Sequence, residues 1–237
     1  MNLLLVTAGE RGRDGRVRIG GRRLKHLREV LRIEVGDTLR VGELHGRLGL
    51  GTVEALTDEA ATLRINLTEA PPPPLAVTLV LALPRPKMLR RILRAIAELG
   101  VKELHLINSA RVEKSFWHSP LLEHSNLEAA LLDGLEQARD TIPPTVRQHP
   151  RLRPFAEATL PALCKDRHAF LGEPRARIPY PAAPASPALL IIGPEGGFIP
   201  FEVELFKRAG ATPARLGPRT LRVETALPTL LGRHLSG

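Results

Sequence analysis

The stretch Leu189-Leu190-Ile191-Ile192-Gly193-Pro194-Glu195-Gly196-Gly197-Phe198 runs an apolar segment straight into a turn rich in glycine and proline. An apolar run of strand length, a glycine turn and then Pro200, a residue suited to a first helical turn, read together as strand, turn and helix. A second stretch, Leu216-Gly217-Pro218-Arg219-Thr220-Leu221-Arg222-Val223-Glu224-Thr225-Ala226, repeats the plan. Turns of this kind bring main-chain N–H and C=O groups close to a ligand, because glycine puts no side chain in the way. Two of them within about one supersecondary unit can line one pocket from two sides.

Working outward, the helix opened by Pro200 carries Glu202 and Glu204 at its positive end and Lys207 and Arg208 at its negative end, before Gly210. Its acids read as helix-end electrostatics rather than as acid–base machinery. Ala214–Leu216 reads as a last short strand and Glu224–Leu235 as a terminal helix. Upstream, Leu75–Leu83 is almost wholly apolar, as a strand covered on both faces is. A helix follows from about Pro86, with Met88, Leu89, Ile92, Leu93, Ile96 and Leu99 as its buried stripe. Lys87, Arg90, Arg91 and Arg94 form its other face, and Gly100 stands where a left-handed cap belongs. Val101–Ile107 is the next strand, which completes a parallel crossover unit. Ser125-Asn126-Leu127-Glu128 is a capping box for a helix with Leu127, Leu131, Leu135 and Ala138 on one side. That helix runs out through Glu136-Gln137-Ala138-Arg139-Asp140 before Pro143-Pro144. Pro154–Cys164 reads as a helix positioning a short strand and turn at His168–Gly172, and Pro179–Pro187 as a proline-rich surface loop. From Leu75 onward the expectation is an α/β fold with a mostly parallel sheet.

Pro71-Pro72-Pro73-Pro74 can join neither a sheet interior nor a helix interior and reads as a stiff spacer. It divides the chain into residues 1–70, the linker 71–74 and a larger domain at 75–237. Within the first part, Val35–Val41 and Ala60–Leu67 alternate apolar and polar residues as half-buried strands do, and short, evenly spaced strands suggest a small barrel. One helix interrupts them, over Arg22–Arg32, with Leu24, Leu27, Val30 and Leu31 on one face. Arg22, Arg23, Lys25, Arg28 and Arg32 surround that face against a single acid, Glu29. Contact with RNA phosphates is favoured over a merely solvated face.

The 34 lysines and arginines against 25 acids give a formal net charge of +9, which attracts polyanions. Arginine dominates, and its planar fork suits phosphate recognition. Cys164 is the single cysteine, which excludes an internal disulfide and a cysteine-based zinc site and fits a reducing cytoplasm. The amino terminus lacks a signal-peptide pattern, and no apolar stretch approaches membrane-spanning length. The eight histidines show no metal-ligand spacing, and no phosphate loop, dinucleotide fingerprint or nucleophile elbow is present. Cys164 reads as packing. What remains is a pocket built largely of backbone, suited to an adenine-bearing ligand.

The paired motifs Ile192–Phe198 and Leu216–Ala226 resemble those of the RsmE family, S-adenosylmethionine-dependent enzymes of the knotted SPOUT superfamily that methylate N3 of a uridine in small-subunit ribosomal RNA. Ala97-Glu98-Leu99-Gly100-Val101, Glu136-Gln137-Ala138-Arg139 and His26–Arg32 with Gly36-Asp37 are similar to further family segments, so the likeness covers nearly the whole chain. The resemblance implies a trefoil-knotted, mostly parallel sheet with helices on both faces, a small amino-terminal PUA-like β-barrel, and a homodimer with each pocket near the subunit interface. It places the methyl donor against Leu171, Gly172, Ile192, Gly193, Pro194, Glu195, Gly196, Leu216, Gly217, Leu221, Arg222, Thr225 and Ala226. Arg222 is the first candidate for stabilising a uridine anion and Arg139 the second, while Glu224 orients an arginine or the flipped base. Pro228 and the Pro179–Pro187 loop depart from the family pattern. The competing readings are a knotted RNA methyltransferase acting elsewhere, such as on a ribose hydroxyl, and a non-catalytic RNA-binding module.

Overall fold

The computed structural model describes residues 2–235. The chain forms two compact units, one of residues up to Pro73 with Leu132–Pro143, the other of Pro74–Leu131 with Pro144 onward.

In the first unit, β1 (Leu4–Val6), β2 (Arg16–Ile19), β3 (Thr38–Glu43), β4 (Leu48–Leu56) and β5 (Ala61–Glu69) form a sheet of order β1-β3-β4-β5-β2. Along β5 the period of two is plain: Ala61, Leu63 and Ile65 are buried, Arg64 and Asn66 exposed. Leu4, Val17, Val41, Val53 and Leu63, one from each strand, meet in one core with Leu24 and Leu27. A sheet whose every strand feeds one core must curl around it. The helix α1 (Gly21–Glu29) is shorter than its apolar pattern suggests. Val30 and Leu31 are 62% and 43% exposed instead of completing the stripe. The chain unwinds at Leu31, and Ile33 turns in to take the place in the core, its N–H bonded to the Leu27 carbonyl at 3.1 Å. Residues 132–143 are bound into this unit by the His45 N–H on the Thr141 carbonyl (2.8 Å) and the Thr141 hydroxyl on the Gly46 carbonyl (2.6 Å).

In the second unit, β6 (Val77–Ala82), β7 (Glu103–Ile107), β8 (Thr145–His149), β9 (His168–Gly172), β10 (Ala188–Ile192) and β11 (Thr212–Ala214) form a sheet of order β11-β9-β10-β6-β7-β8. Every neighbouring pair is parallel. The central strands β6 and β10 are buried at every residue, as their almost wholly apolar runs require, and the one polar residue, Thr78, donates its hydroxyl to Glu103 at 3.0 Å. The polar β8 was not foreseen, because an edge strand needs no apolar alternation. The last strand starts at Thr212 rather than Ala214.

Helix α2 (Pro86–Glu98) buries Leu89, Ile92, Leu93 and Ile96, and Gly100 ends it at φ +79. Helix α3 (His124–Ala138) begins ahead of Ser125, so the anticipated capping box does not form. Its first turn hangs instead from the Glu123 carbonyl, which accepts from the Asn126 and Leu127 N–H groups. The helical run from Leu152 comprises α4 (Leu152–Pro154), a π-helical stretch at Phe155–Thr159 and α5 (Leu160–Lys165). Helices α6 (Pro200–Arg208) and α7 (Val223–Gly232) follow, and α7 continues through Pro228.

The Pro179–Pro187 segment is not a plain surface loop. Tyr180 is buried, its N–H donates to the Arg215 carbonyl at 2.8 Å, and Arg233 donates to the carbonyls of Tyr180 and Pro181. Burial pushes the Tyr180 phenol up to about 12, and its hydroxyl shares a 2.6 Å hydrogen bond with His234 Nε2. The last segment of the chain is thereby laced into this loop. Among the described residues no helix is long and apolar enough to cross a membrane, and no histidine, cysteine and carboxylate cluster could hold a metal.

Candidate active site

Parallel strands put all their carboxyl ends on one edge, and the turns that follow them are where open α/β sheets bind ligands. Here the register aligns Leu81 with Ile192, Ala82 with Ile107, Ile191 with Leu171 and Gly172 with Ala214. The turns after β6, β7, β9, β10 and β11 therefore share one edge. The Gly193–Gly197 turn follows β10 and lies in the middle of it. On one side are the ends of β9 and β11, on the other those of β6 and β7.

The β11–β9–β10 side gathers much of the predicted donor set. Leu171 and Gly172 end β9, Ile192 ends β10 and leads into Gly193, Pro194, Glu195 and Gly196, and Leu216 and Gly217 follow β11. Leu221 precedes α7, Arg222 is its N-cap, and Glu224, Thr225 and Ala226 fill its first turn. Among the described residues no hydrogen bond reaches a main-chain group of Leu216–Leu221. Those N–H and C=O groups are free to pair with a ligand. A Cβ built on Gly217 would meet nothing within 4 Å, so the fold itself does not require glycine there. Unpaired peptides beside open space suit a flat, polar-edged ring such as adenine, and the residues present fit an adenine-bearing donor.

The β10–β6–β7 side holds a cleft of about 300 Å³. Arg85, Arg111, Glu113, Phe116, Pro194 and Glu195 line it, so it shares only Pro194 and Glu195 with the predicted set. Its geometry is set by Glu202, 2% exposed in the first turn of α6. That carboxylate accepts the Ile199 N–H at 3.0 Å and the Ala110 N–H at 2.7 Å, which bolts the turn after β7 to the start of α6. Helix-end electrostatics was half of its role. Arg111 then crosses Gly196 and donates to its carbonyl. A Cβ on Gly196 would lie 3.0 Å from the Arg111 Cδ, so glycine lets that arginine lie close against the turn. Arg111 and Phe116 were overlooked in the sequence, although their place just past a parallel strand was the available signal.

The remaining candidates lie in the first unit. Arg139 is exposed just past α3, at φ +57. The cations of α1 are more committed than their composition suggests. Arg23 pairs with Glu10 and donates to the Leu5 carbonyl at 3.0 Å, Arg28 pairs with Asp58 at 2.8 Å, and Lys25 approaches Glu29 at 3.9 Å. Arg22 and Arg32 form no ion pair among the described residues, and Arg32 lies beyond the helix, at φ +51.

A family model described as RNA methyltransferase domain matches residues 71–235, and one described as RNA methyltransferase PUA domain matches residues 19–66. Ribosomal RNA small subunit methyltransferase E of Mycobacterium bovis is 30% identical over 223 residues, 87% of this chain and 81% of that protein. The chain belongs to the RsmE family of RNA methyltransferases. The RsmE protein of Treponema pallidum is 29% identical over 211 residues, covering 86% of this chain and 79% of that one. In fold, a protein of Legionella pneumophila described as a methyltransferase and solved with bound SAM superposes with a TM-score of 0.76 at 24% identity, over 98% of this chain and 96% of that one. RsmE membership accounts for both units, the curled amino-terminal sheet as the PUA-like part and the parallel sheet as the methyltransferase part.

Proposed function

We propose that the protein transfers a methyl group from S-adenosylmethionine to N3 of a specific uridine in 16S ribosomal RNA of the small subunit. The observation that carries the reading is the β11–β9–β10 edge, which the unpaired peptides of Leu216–Leu221 share with the Gly193–Gly197 turn in an RsmE-family chain. When bound, the donor supplies a methyl group on an already activated sulfonium. The protein's task is then alignment and electrostatics. Backbone groups of Ile192–Gly196 and Leu216–Gly217 fix the donor, with Leu171, Gly172, Leu221, Thr225 and Ala226 closing around it. Uridine N3 is a poor nucleophile until its proton leaves, and Arg222, at the positive end of α7, stabilises the resulting anion. Glu224 orients the arginine or the base. A target within folded RNA must be splayed out to reach the site. The protein works as a homodimer in the cytoplasm, and Arg22 and Arg32 contribute phosphate contacts.

The deciding experiment incubates the protein with small ribosomal subunits and methyl-labelled S-adenosylmethionine, followed by mass mapping of nucleosides. 3-Methyluridine at one site is expected, and a ribose-methylated product would overturn the N3 assignment. Arg222→Ala is expected to keep the fold and donor binding while losing most turnover, with Arg139→Ala measured beside it. Light scattering at twice the chain mass checks the dimer.

A further inference from the structure

We propose that the cleft on the β10–β6–β7 side receives the target nucleotide, with Phe116 as the wall on which the pyrimidine stacks, Arg111 facing the ring and Arg85 its phosphate. The assignment rests on the reading of the β11–β9–β10 side as the donor site, and it adds where the acceptor lies. Methyl transfer needs two ligands separated by a short gap, and the Gly193–Gly197 turn borders both sides of the shared edge. A volume of about 300 Å³ is at the lower end for small-ligand sites, which suits a single pyrimidine nucleotide.

The lining has the chemistry of an extruded base. Unstacked pyrimidines are held between an aromatic face and guanidinium groups, and Phe116, partly buried, stands with Arg85 and Arg111 in one cleft. Arg111 is held in place from two directions. Its stem lies on Gly196, and its backbone is fixed through Ala110 to the buried Glu202. One of its N–H groups goes to the Gly196 carbonyl, which leaves others of its five donors for a ligand. Arg85 reaches Glu195 across the cleft at 3.6 Å, with both side chains more than half exposed, so the pair is weak and a phosphate can displace it. Lys87, Arg90 and Arg91, exposed on α2 directly beyond Arg85, continue the positive strip along which flanking phosphates run. The acids at the lining, Glu113 and Glu195, are both exposed.

The test is photocrosslinking of the full chain to 16S ribosomal RNA transcribed with 4-thiouridine, with the crosslinked peptides mapped by mass spectrometry. Phe116→Ala and Arg111→Ala are assayed alongside by methylation kinetics and by calorimetry with S-adenosylmethionine. Crosslinks are expected within residues 110–117, and each variant is expected to lose at least tenfold in kcat/KM for RNA while its donor Kd stays within about threefold. Phe116 lies outside the glycine turn, so its variant reads the cleft even if Arg111→Ala reshapes that turn. Crosslinks confined to other segments, or wild-type kinetics in both variants, would overturn the assignment. Crosslinking needs no turnover, so a chain that failed to methylate uridine would sink the proposed reaction and leave this reading to be judged on its own.

Discussion

Glu202 shows how much one side chain can hold when it is buried with its partners. It accepts two main-chain N–H groups from different elements, at Ile199 and Ala110. Glu202→Ala would strand both, and a cost of about 2–4 kcal/mol is expected in urea unfolding, with a smaller loss for Glu202→Gln, which keeps an acceptor. A second residue-scale expectation concerns His105 and His149, whose rings stack with Nδ1 and Nε2 2.9 Å apart. Burial holds both below the ordinary 6.5, with Glu103 opposing the shift at His105 and Arg147 adding to it at His149. The folded chain therefore keeps them neutral where the unfolded chain takes up protons, so stability is full above about pH 6.5 and falls as the pH drops through it. The melting temperature should be lower at pH 5.5 than at 7.5, and an equal or higher value would contradict this. At this scale the sequence was half legible. Gly196 stood out as a glycine, but the stem of Arg111 that lies against it comes from 85 residues away along the chain.

Elements declared themselves where burial is one-sided or complete. The runs of β6 and β10 and the stripe of α2 could be read directly, because only an apolar environment tolerates them. The polar β8 could not, and the end of α1 was misjudged because Val30 and Leu31 look like core until Ile33 is seen to fill the place. The loop after β11 was legible as a turn but not as a row of unpaired peptides. Its glycine gives a clean expectation. Gly217→Leu puts a side chain into open space, so the melting temperature of the free protein should change by no more than a few degrees. Calorimetry should then show S-adenosylmethionine binding weakened at least tenfold, and unchanged binding would remove Gly217 from the donor site.

For the whole molecule, the four prolines at Pro71–Pro74 mark a change of unit, yet nothing in local periodicity announces that residues 132–143 go back to the first one. Periodicity records which side of an element is buried, never against what. A fragment of residues 75–237 would carry Thr141, 0% exposed, without the His45 N–H and Gly46 carbonyl that it bonds in the full chain. Such a fragment should melt at a lower temperature and aggregate more readily than the full chain, whereas a fragment as stable as the parent would argue against the shared unit. The same arrangement bears on synthesis. As the nascent chain leaves the translating ribosome, all five strands of the leading sheet emerge early, but the unit they belong to is completed only when Thr141 has cleared the exit tunnel. A cassette exchange at the proline junction, convenient as it looks to an engineer, would therefore cut one body into mismatched parts.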